Sequence, residues 1–311
     1  MTALRSLARV FVIFVIATAL AGFALAQSHP AFAVKVSGHG QPMVLIPGLA
    51  SSGATWDSTV THYRANYTCY VLTLAGFAGQ PPIPQPLLLE AERELAAYIA
   101  AHKLQHPVII GHSLGGNIAL DLAERHPALV GPVVIVDSLP FYAGSWFQVK
   151  TLAQAQPILA QVKAGMAQET QAQYLAAAKS GAATNAMTES PAHQQTLDQW
   201  GAESDMHTVN GAMLGLMSED LRPGLARVTS PVLLLGTWAG FQQQLAGRGV
   251  KVTRADFVAT FRQQYAALPH LHFAMADHSR HFIMWDDPAW FFQQLDAFLA
   301  HPQQAVRTRG F

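Results

Sequence analysis

Seven short apolar segments recur along the chain, and stretches with helical periodicity lie between several of them. The segments are Ala31–Val36, Met43–Ile46, Cys69–Leu74, Val108–Ile110, Val133–Val136, Val232–Leu235 and Leu271–Met275. Near-continuous apolar strands of this kind are typical of a parallel sheet that helices cover on both faces. Helical spacing is clearest over Leu87–His102, Asn117–Arg125 and Trp290–Leu299. The pattern predicts an α/β fold with a mostly parallel central sheet.

The alternation stops between the fifth and sixth apolar segments. Residues Phe141 to Arg227 are rich in Ala, Gln and Met and contain helical patches but no convincing strand. A change in composition between two core strands indicates a helical insertion rather than a separate tandem domain. We therefore predict one core domain, formed by residues 27–139 and 228–311, with a helical insertion at 140–227.

The N-terminal segment has the pattern of a secretory signal. Arg5 and Arg9 precede the uncharged, mostly apolar stretch Val10–Leu25, and Ala24-Leu25-Ala26 has the small-x-small form of a signal peptidase site. The sequence predicts that residues 1–26 are a cleaved signal peptide and that the protein is exported, to the periplasm or outside the cell. A retained N-terminal membrane anchor is the alternative.

Charge and cysteine content exclude several classes of function. Lys plus Arg and Asp plus Glu both count 19, and only 12% of the residues are charged. That balance argues against a nucleic-acid partner, which would require an excess or a stripe of positive charge. The single Cys69 excludes an intrachain disulfide and a multi-cysteine metal site. The 14 histidines show no HExxH pair, so we predict no metal site.

One motif carries chemistry. Gly111-His-Ser-Leu-Gly-Gly116 follows an apolar strand and precedes the helical stretch Asn117–Arg125, which is the strand–turn–helix setting of a G-x-S-x-G nucleophile elbow. Such a turn exposes the Ser113 oxygen at the carboxyl edge of the sheet. The helix that follows directs its N-terminal N–H groups at the same place, and these favour a developing oxyanion. A chance match in an ordinary tight turn is the alternative.

With this motif the chain resembles the α/β-hydrolase family, and the resemblance covers nearly all of it after residue 26. Met43-Val-Leu-Ile-Pro-Gly-Leu49 is similar to the family's oxyanion strand and loop, with Pro47 in place of the usual His. Arg280-His-Phe-Ile-Met-Trp-Asp-Asp-Pro288 resembles the segment that carries the catalytic histidine. The insertion at 140–227 lies where the family has its helical cap. The resemblance implies an α/β-hydrolase fold with such a cap.

The resemblance also assigns roles. It implies that Ser113 is the nucleophile and His281 the general base, with His278 as a weaker candidate for the base. The backbone N–H groups of Leu49 and Leu114 would form the oxyanion hole. This chemistry requires no cofactor and no metal, and the implied partner is a small-molecule substrate. The sequence leaves the oligomeric state open.

The orienting acid is where the chain departs from the family. Most relatives place an Asp just after the strand that is Val232–Leu235 here, but Gly236-Thr-Trp-Ala-Gly240 contains no carboxylate. Some branches carry the acid at the end of the strand after the nucleophile helix, and Asp137 is in that place. Asp137 is therefore the leading candidate, and the absence of any side-chain acid is one alternative. The other candidates are Asp256, Asp277, Asp286 and Asp287, the last two also being predicted caps of the helix near Pro288.

The insertion is expected to set substrate specificity. Phe141, Tyr142 and Trp146 follow the strand that carries Asp137 and are the predicted substrate contacts. Few charges and no Arg or Lys cluster occur in the insertion, which favours a small or medium, mostly apolar ester cleaved through an acyl-enzyme. Two alternatives remain: a hydrolase of C–C, amide or peptide bonds, and a binding protein without turnover.

Overall fold

A seven-stranded sheet forms the centre of the fold. The computed structural model describes residues 30–182, 184–240, 242 and 251–303. The strands are β1 (Phe32–Gly38), β2 (Gln41–Ile46), β3 (Tyr67–Leu74), β4 (Val108–His112), β5 (Val133–Val136), β6 (Val232–Thr237) and β7 (Leu271–Ala276). Their order across the sheet is β1-β3-β2-β4-β5-β6-β7. The edge strand β1 is antiparallel to β3, whereas the other neighbouring strands are parallel.

Helices pack on both faces of this sheet and form the segment between β5 and β6. Those of the core are α1 (Asp57–Tyr63), α2 (Leu87–Ala101), α3 (Leu114–Arg125), α9 (Arg254–Gln264), α10 (Ile283–Asp286) and α11 (Pro288–Ala300). Those between β5 and β6 are α4 (Tyr142–Phe147), α5 (Leu152–Met166), α6 (Gln171–Lys179), α7 (Pro191–Glu203) and α8 (Met206–Met217). Short 3-10 helices span Gly53–Trp56 and Arg222–Arg227.

Alternating side chains of the strands divide the core into two layers. In β2, Val44 and Ile46 pack with α2, α3 and α9, whereas Met43 and Leu45 face α1 and α11 on the opposite side. All four side chains are fully buried. Burial on both faces explains why the inner strands β4, β5 and β6 are almost entirely apolar, whereas the half-exposed edge strand β1 also carries polar residues.

The predicted α/β class, with a mostly parallel central sheet flanked by helices, is confirmed. Each of the seven predicted strands is present, with ends that differ by at most two residues, and each of the three predicted helices is present. The predicted signal peptide, residues 1–26, lies outside the described residues, so export stays a prediction that N-terminal sequencing of the mature protein would test. Within the described ranges, no helix is both long and apolar enough to cross a membrane.

A group of carboxylates lies beside α3, away from the sheet edge that carries Ser113. The pKa of Glu219 is raised from 4.5 to about 7, mainly by burial; the charges of Asp121, Glu124 and Glu92 contribute to this rise, and Arg125 opposes it. The folded protein therefore holds this proton more tightly than the unfolded chain does. As the pH rises from about 4.5 to 7, the unfolded chain loses the proton first, so this group lowers stability over that interval.

Replacing Glu219 by Gln is therefore expected to raise the melting temperature at pH 8 and to leave it almost unchanged at pH 4. Gln keeps the side-chain volume and removes only the charge. Calorimetric melting curves of both proteins between pH 4 and 8 provide the measurement. An equal shift at all pH values would contradict this explanation.

Candidate active site

The Gly111–Gly116 motif forms a sharp turn between β4 and α3. Ser113 has φ 52° and ψ −120°, a backbone conformation that a residue with a side chain adopts only under strain. Its N–H donates to the Val136 carbonyl at 2.9 Å, and its own carbonyl accepts from the Gly116 N–H at 2.9 Å. A methyl group on Gly115 would clash with the Ile46 carbonyl, so glycine permits the close approach of α3 to β2. The turn places Ser113 at the wall of a cavity.

The structure brings Asp137 and His281 together. Asp137 follows β5 and is buried, and its Oδ2 lies 2.6 Å from His281 Nδ1. Since a carboxylate can only accept, Nδ1 carries the proton and Nε2 has the free lone pair. The second carboxylate oxygen accepts from the Thr237 N–H at 3.2 Å. The end of β6 has no acidic residue of its own, but its Thr237 N–H holds the Asp137 carboxylate in place.

His112 contacts both the backbone and the ring of His281. Its side chain is fully buried, and its Nε2 donates to the His281 carbonyl at 3.1 Å. The two imidazole rings lie 4.5 Å apart. Burial holds the pKa of His112 well below its usual value, and the neighbouring His281 lowers it further. A neutral His112 can therefore fix the position of the His281 backbone without adding a second positive charge beside it.

The loop after β2 runs alongside the nucleophile turn. A methyl group on Gly48 would lie 3.3 Å from the Ser113 Cβ and 3.0 Å from His112 Nδ1. Leu49 lines the cavity, and Leu114 directly follows Ser113 at the start of α3. The predicted oxyanion residues therefore lie on the strand-end loop and on the helix start that adjoin Ser113.

A cavity of about 340 Å³ opens over these residues, and Ser113, His281 and Asp137 all line it. Most of its remaining wall comes from the segment between β5 and β6. The apolar side chains there include Tyr174, Met187, Leu197, Val209, Met213, Leu216 and Met217. Among the described residues no Lys, Arg or Glu lines the cavity, so its only carboxylate is the one that faces His281.

The three predicted substrate contacts have different positions. Tyr142 and Trp146 line the cavity, and Trp146 is also 43% exposed. The prediction for Phe141 was wrong in placement, because its ring is fully buried in a small core with Ala155 and is absent from the cavity wall. The Arg222 guanidinium lies 4.1 Å from the centre of the Phe141 ring. Apolar character alone could not distinguish a residue of this core from a residue of the cavity.

Hydrogen bonds tie the loop that carries His281 to residues 185–189 of the helical segment. The Phe282 N–H donates to the Met187 carbonyl at 3.1 Å, and the Arg280 guanidinium donates to the Thr188 carbonyl at 3.1 Å. Both neighbours of His281 are therefore fixed to the same short segment. No motif in the sequence indicated this connection.

Asp286 completes that connection. It accepts from the Arg280 N–H at 2.9 Å and from the Thr188 hydroxyl at 2.6 Å. The prediction that Asp286 caps a helix was therefore wrong, since its carboxylate joins two loops. Asp287 does have the predicted role and accepts from the Trp290 N–H at the start of α11.

The other acid and base candidates lie away from the cavity. Asp256 is exposed in the first turn of α9 and accepts from the Thr253 hydroxyl at 2.7 Å. Asp277 is exposed and paired with Arg254. His278 is exposed and does not line the cavity. Within the described ranges, no group of three or more His, Cys, Asp or Glu could hold a metal ion.

Comparison with known proteins identifies the family. The model of the alpha/beta hydrolase family matches residues 43–294. The chain belongs to that family. The match runs from β2 into α11 and therefore includes the nucleophile turn, the whole helical segment and the His281 loop.

Individual relatives of this alpha/beta hydrolase differ in what they act on. The chain is 33% identical over 114 residues to the pimeloyl-[acyl-carrier protein] methyl ester esterase of Vibrio cholerae, and the match covers 36% of this chain and 43% of that protein. It is 24% identical over 271 residues to the N-formylmaleamate deformylase of Pseudomonas putida, and this match covers 86% of this chain and 92% of that protein. An enol-lactonase structure from Burkholderia xenovorans superposes with a TM-score of 0.66 at 14% identity, and the superposition covers 86% of this chain and 96% of that one.

Proposed function

We propose that this protein is a serine hydrolase that cleaves a small or medium, mostly apolar ester. The observation that carries the proposal is the 2.6 Å hydrogen bond between Asp137 and His281 at the wall of a cavity that Ser113 also lines. A buried carboxylate, an oriented imidazole and a serine at a strained elbow are the parts of a nucleophilic triad. The esterase, deformylase and lactonase relatives support hydrolysis as the reaction class.

The mechanism follows from these positions. His281 Nε2 takes the proton of Ser113 as the Ser113 oxygen attacks the ester carbonyl, and Asp137 stabilises the imidazolium that forms. The backbone N–H groups of Leu49 and Leu114 donate to the tetrahedral oxyanion. The imidazolium then protonates the departing alkoxide, which leaves an acyl-enzyme on Ser113. Water activated by His281 hydrolyses that intermediate.

The charge of the cavity supports a neutral substrate. A substrate with a carboxylate or phosphate would lose its hydration on entering an apolar cavity, and among the described wall residues no Lys or Arg compensates that loss. The carboxylate of Asp137 would also repel it. An aliphatic or aromatic acyl chain, by contrast, would bind favourably, because its contact with the apolar side chains removes apolar surface from water.

A fluorophosphonate probe with short alkyl chains tests the proposal. We expect the mature protein to be labelled at Ser113, as located by peptide mass spectrometry, and the His281→Ala variant to remain almost unlabelled. His278→Ala is the matched control, since that histidine is exposed outside the cavity, and it should react as the natural protein does. Folded natural protein that does not react would overturn the proposal and favour a binding protein without turnover. Labelling together with hydrolysis of amides but not esters would overturn the ester assignment.

A further inference from the structure

The hydroxyl of Tyr142 lies at the reaction centre, although no step above uses it. Tyr142 is the first residue of α4 and lines the cavity together with Ser113. Its hydroxyl oxygen lies 3.2 Å from the Ser138 Oγ, within hydrogen-bond distance, and either hydroxyl can donate. Ser138 directly follows Asp137 and is 2% exposed. The hydroxyl is thus held at the end of β5, next to the strand that carries the nucleophile.

Ser138 is itself held in place. The Tyr265 hydroxyl donates to the Ser138 carbonyl at 2.9 Å in the buried interior. A methyl group on Gly116 would lie 2.7 Å from the Ser138 Cβ, so this residue packs against the first turn of α3. A serine hydroxyl can rotate and donate as well as accept. When Ser138 donates to the Tyr142 oxygen, the Tyr142 proton is free to point into the cavity.

Tyr142 is a donor throughout the neutral and alkaline range. Its pKa is raised to about 12, mainly by burial; the interaction with the Ser138 hydroxyl opposes this rise, the negative charge of Asp137 contributes to it, and the Ser113 hydroxyl opposes it. The Ser113 hydroxyl is therefore one of the groups that the Tyr142 oxygen faces. A protonated phenol at this place can donate to an oxygen that gains negative charge beside Ser113.

The sheet order separates Tyr142 from the loop of Leu49. Strand β4, with Ser113 at its end, lies between β2 and β5. The loop of Leu49, which provides one proposed oxyanion donor, follows β2, whereas Tyr142 comes from the β5 side. When the carbonyl oxygen of a tetrahedral intermediate occupies the oxyanion hole, the other substituents of that carbon point away from it. One of them is the departing oxygen.

We infer that Tyr142 is a further catalytic residue, whose hydroxyl donates a hydrogen bond to the leaving-group oxygen of the ester. The inference rests on the proposed function. In the step concerned, the bond between the acyl carbon and the leaving oxygen breaks, and its electron pair stays on that oxygen. The proton comes from the His281 imidazolium, which had received it from Ser113. Tyr142 keeps its own proton and stabilises the charge that the oxygen carries in the transition state.

Esters with one acyl group and different alcohols test this assignment. A methyl ester releases a strongly basic alkoxide, whereas a p-nitrophenyl ester releases a stable anion that needs little help. For Tyr142→Phe we expect kcat/KM to fall roughly 10- to 100-fold with the methyl ester, as for loss of one hydrogen bond to a developing charge. With the p-nitrophenyl ester we expect a loss of less than about threefold, since kcat/KM reports the acylation step.

Tyr265→Phe is the matched control. It removes a phenol that also contacts Ser138 but lies outside the cavity. Any loss of activity in this control should be the same for both esters, because the hydrogen bond that is lost holds Ser138 and lies outside the cavity. Equal losses with the two esters in Tyr142→Phe, or no loss with either, would overturn the inference. Failure of the proposed function is a separate result, since natural protein would then show neither labelling of Ser113 nor hydrolysis of the p-nitrophenyl ester.

Discussion

Replacing Ser113 by alanine is expected to lower kcat for a neutral ester by roughly 10⁶-fold, the loss typical of removing a triad nucleophile. Alanine deletes only the oxygen and leaves the hydrogen bond between His281 and Asp137 in place. The measurement is initial-rate kinetics with a p-nitrophenyl ester, on protein whose circular dichroism matches that of the natural protein. Retention of more than about a hundredth of the activity would contradict the role of Ser113.

A glycine at the same position separates chemistry from strain. At φ 52° and ψ −120° a Cβ atom is unfavourable, and glycine adopts this conformation at much lower cost. Ser113→Gly should therefore be as inactive as Ser113→Ala but melt at a higher temperature, with a stability gain of about 1 kcal/mol. A Gly variant that melts no higher than the Ala variant would show that the elbow stores little strain. The two variants together measure how much stability the nucleophile's geometry costs.

Replacing Asp137 by Asn is expected to lower kcat by roughly 10³- to 10⁴-fold. Asn retains the shape of the side chain, but its amide can present an N–H to His281, which favours the wrong tautomer of the imidazole. The backbone should tolerate the change, because Asp137 has φ 46° and Asn is among the residues that adopt positive φ most readily. The effect should therefore appear in kcat with little change in melting temperature.

Asp256→Asn is the matched control for that experiment. Asp256 is exposed and its carboxylate contacts the Thr253 hydroxyl at the start of α9, so its loss should leave kcat within about twofold of the natural value. If Asp137→Asn lost less than tenfold while Asp256→Asn lost more, the acid would have to be reassigned. A similar small loss in both would mean that His281 works without an orienting carboxylate.

The central fold could be predicted from the sequence because burial on both faces leaves a direct signature in composition. Each strand of the parallel sheet is a short apolar segment, and the G-x-S-x-G motif is local, so its turn depends on residues adjacent in the chain. His281 and Asp137 could be proposed only through the family resemblance. Their contact joins residues 144 positions apart, and no local pattern encodes such a distance.

The acid shows what the sequence could not settle. The absence of a carboxylate after β6 left several Asp residues open, because loop conformation decides which carboxylate reaches the imidazole. In the structure, the end of β6 contributes the Thr237 N–H that binds Asp137. Every residue other than proline has a backbone N–H, so the amino-acid sequence does not indicate that the Thr237 N–H would hold the Asp137 carboxylate.

The helical segment was the least predictable part. Its apolar residues are divided between a small core around Phe141 and the cavity wall, and both environments select the same residue types. Tyr174 and Leu197 line the cavity although nothing in their spacing distinguishes them from their neighbours. Which side of a short helix faces the cavity depends on how several helices pack, which periodicity within one helix does not determine.

The hydrogen bonds from Arg280 and Phe282 to residues 185–189 have a consequence for exchanging parts between relatives. In a chimera that received the helical segment of another hydrolase, His281, the proposed general base, would lose two of the anchors that flank it, even if the whole core were retained. Under the proposed mechanism, the parts that set specificity and the parts that carry out catalysis could therefore not be exchanged independently in this chain. A successful graft would have to keep residues 185–189, or transfer the donor's own version of the 280–286 loop with its helices.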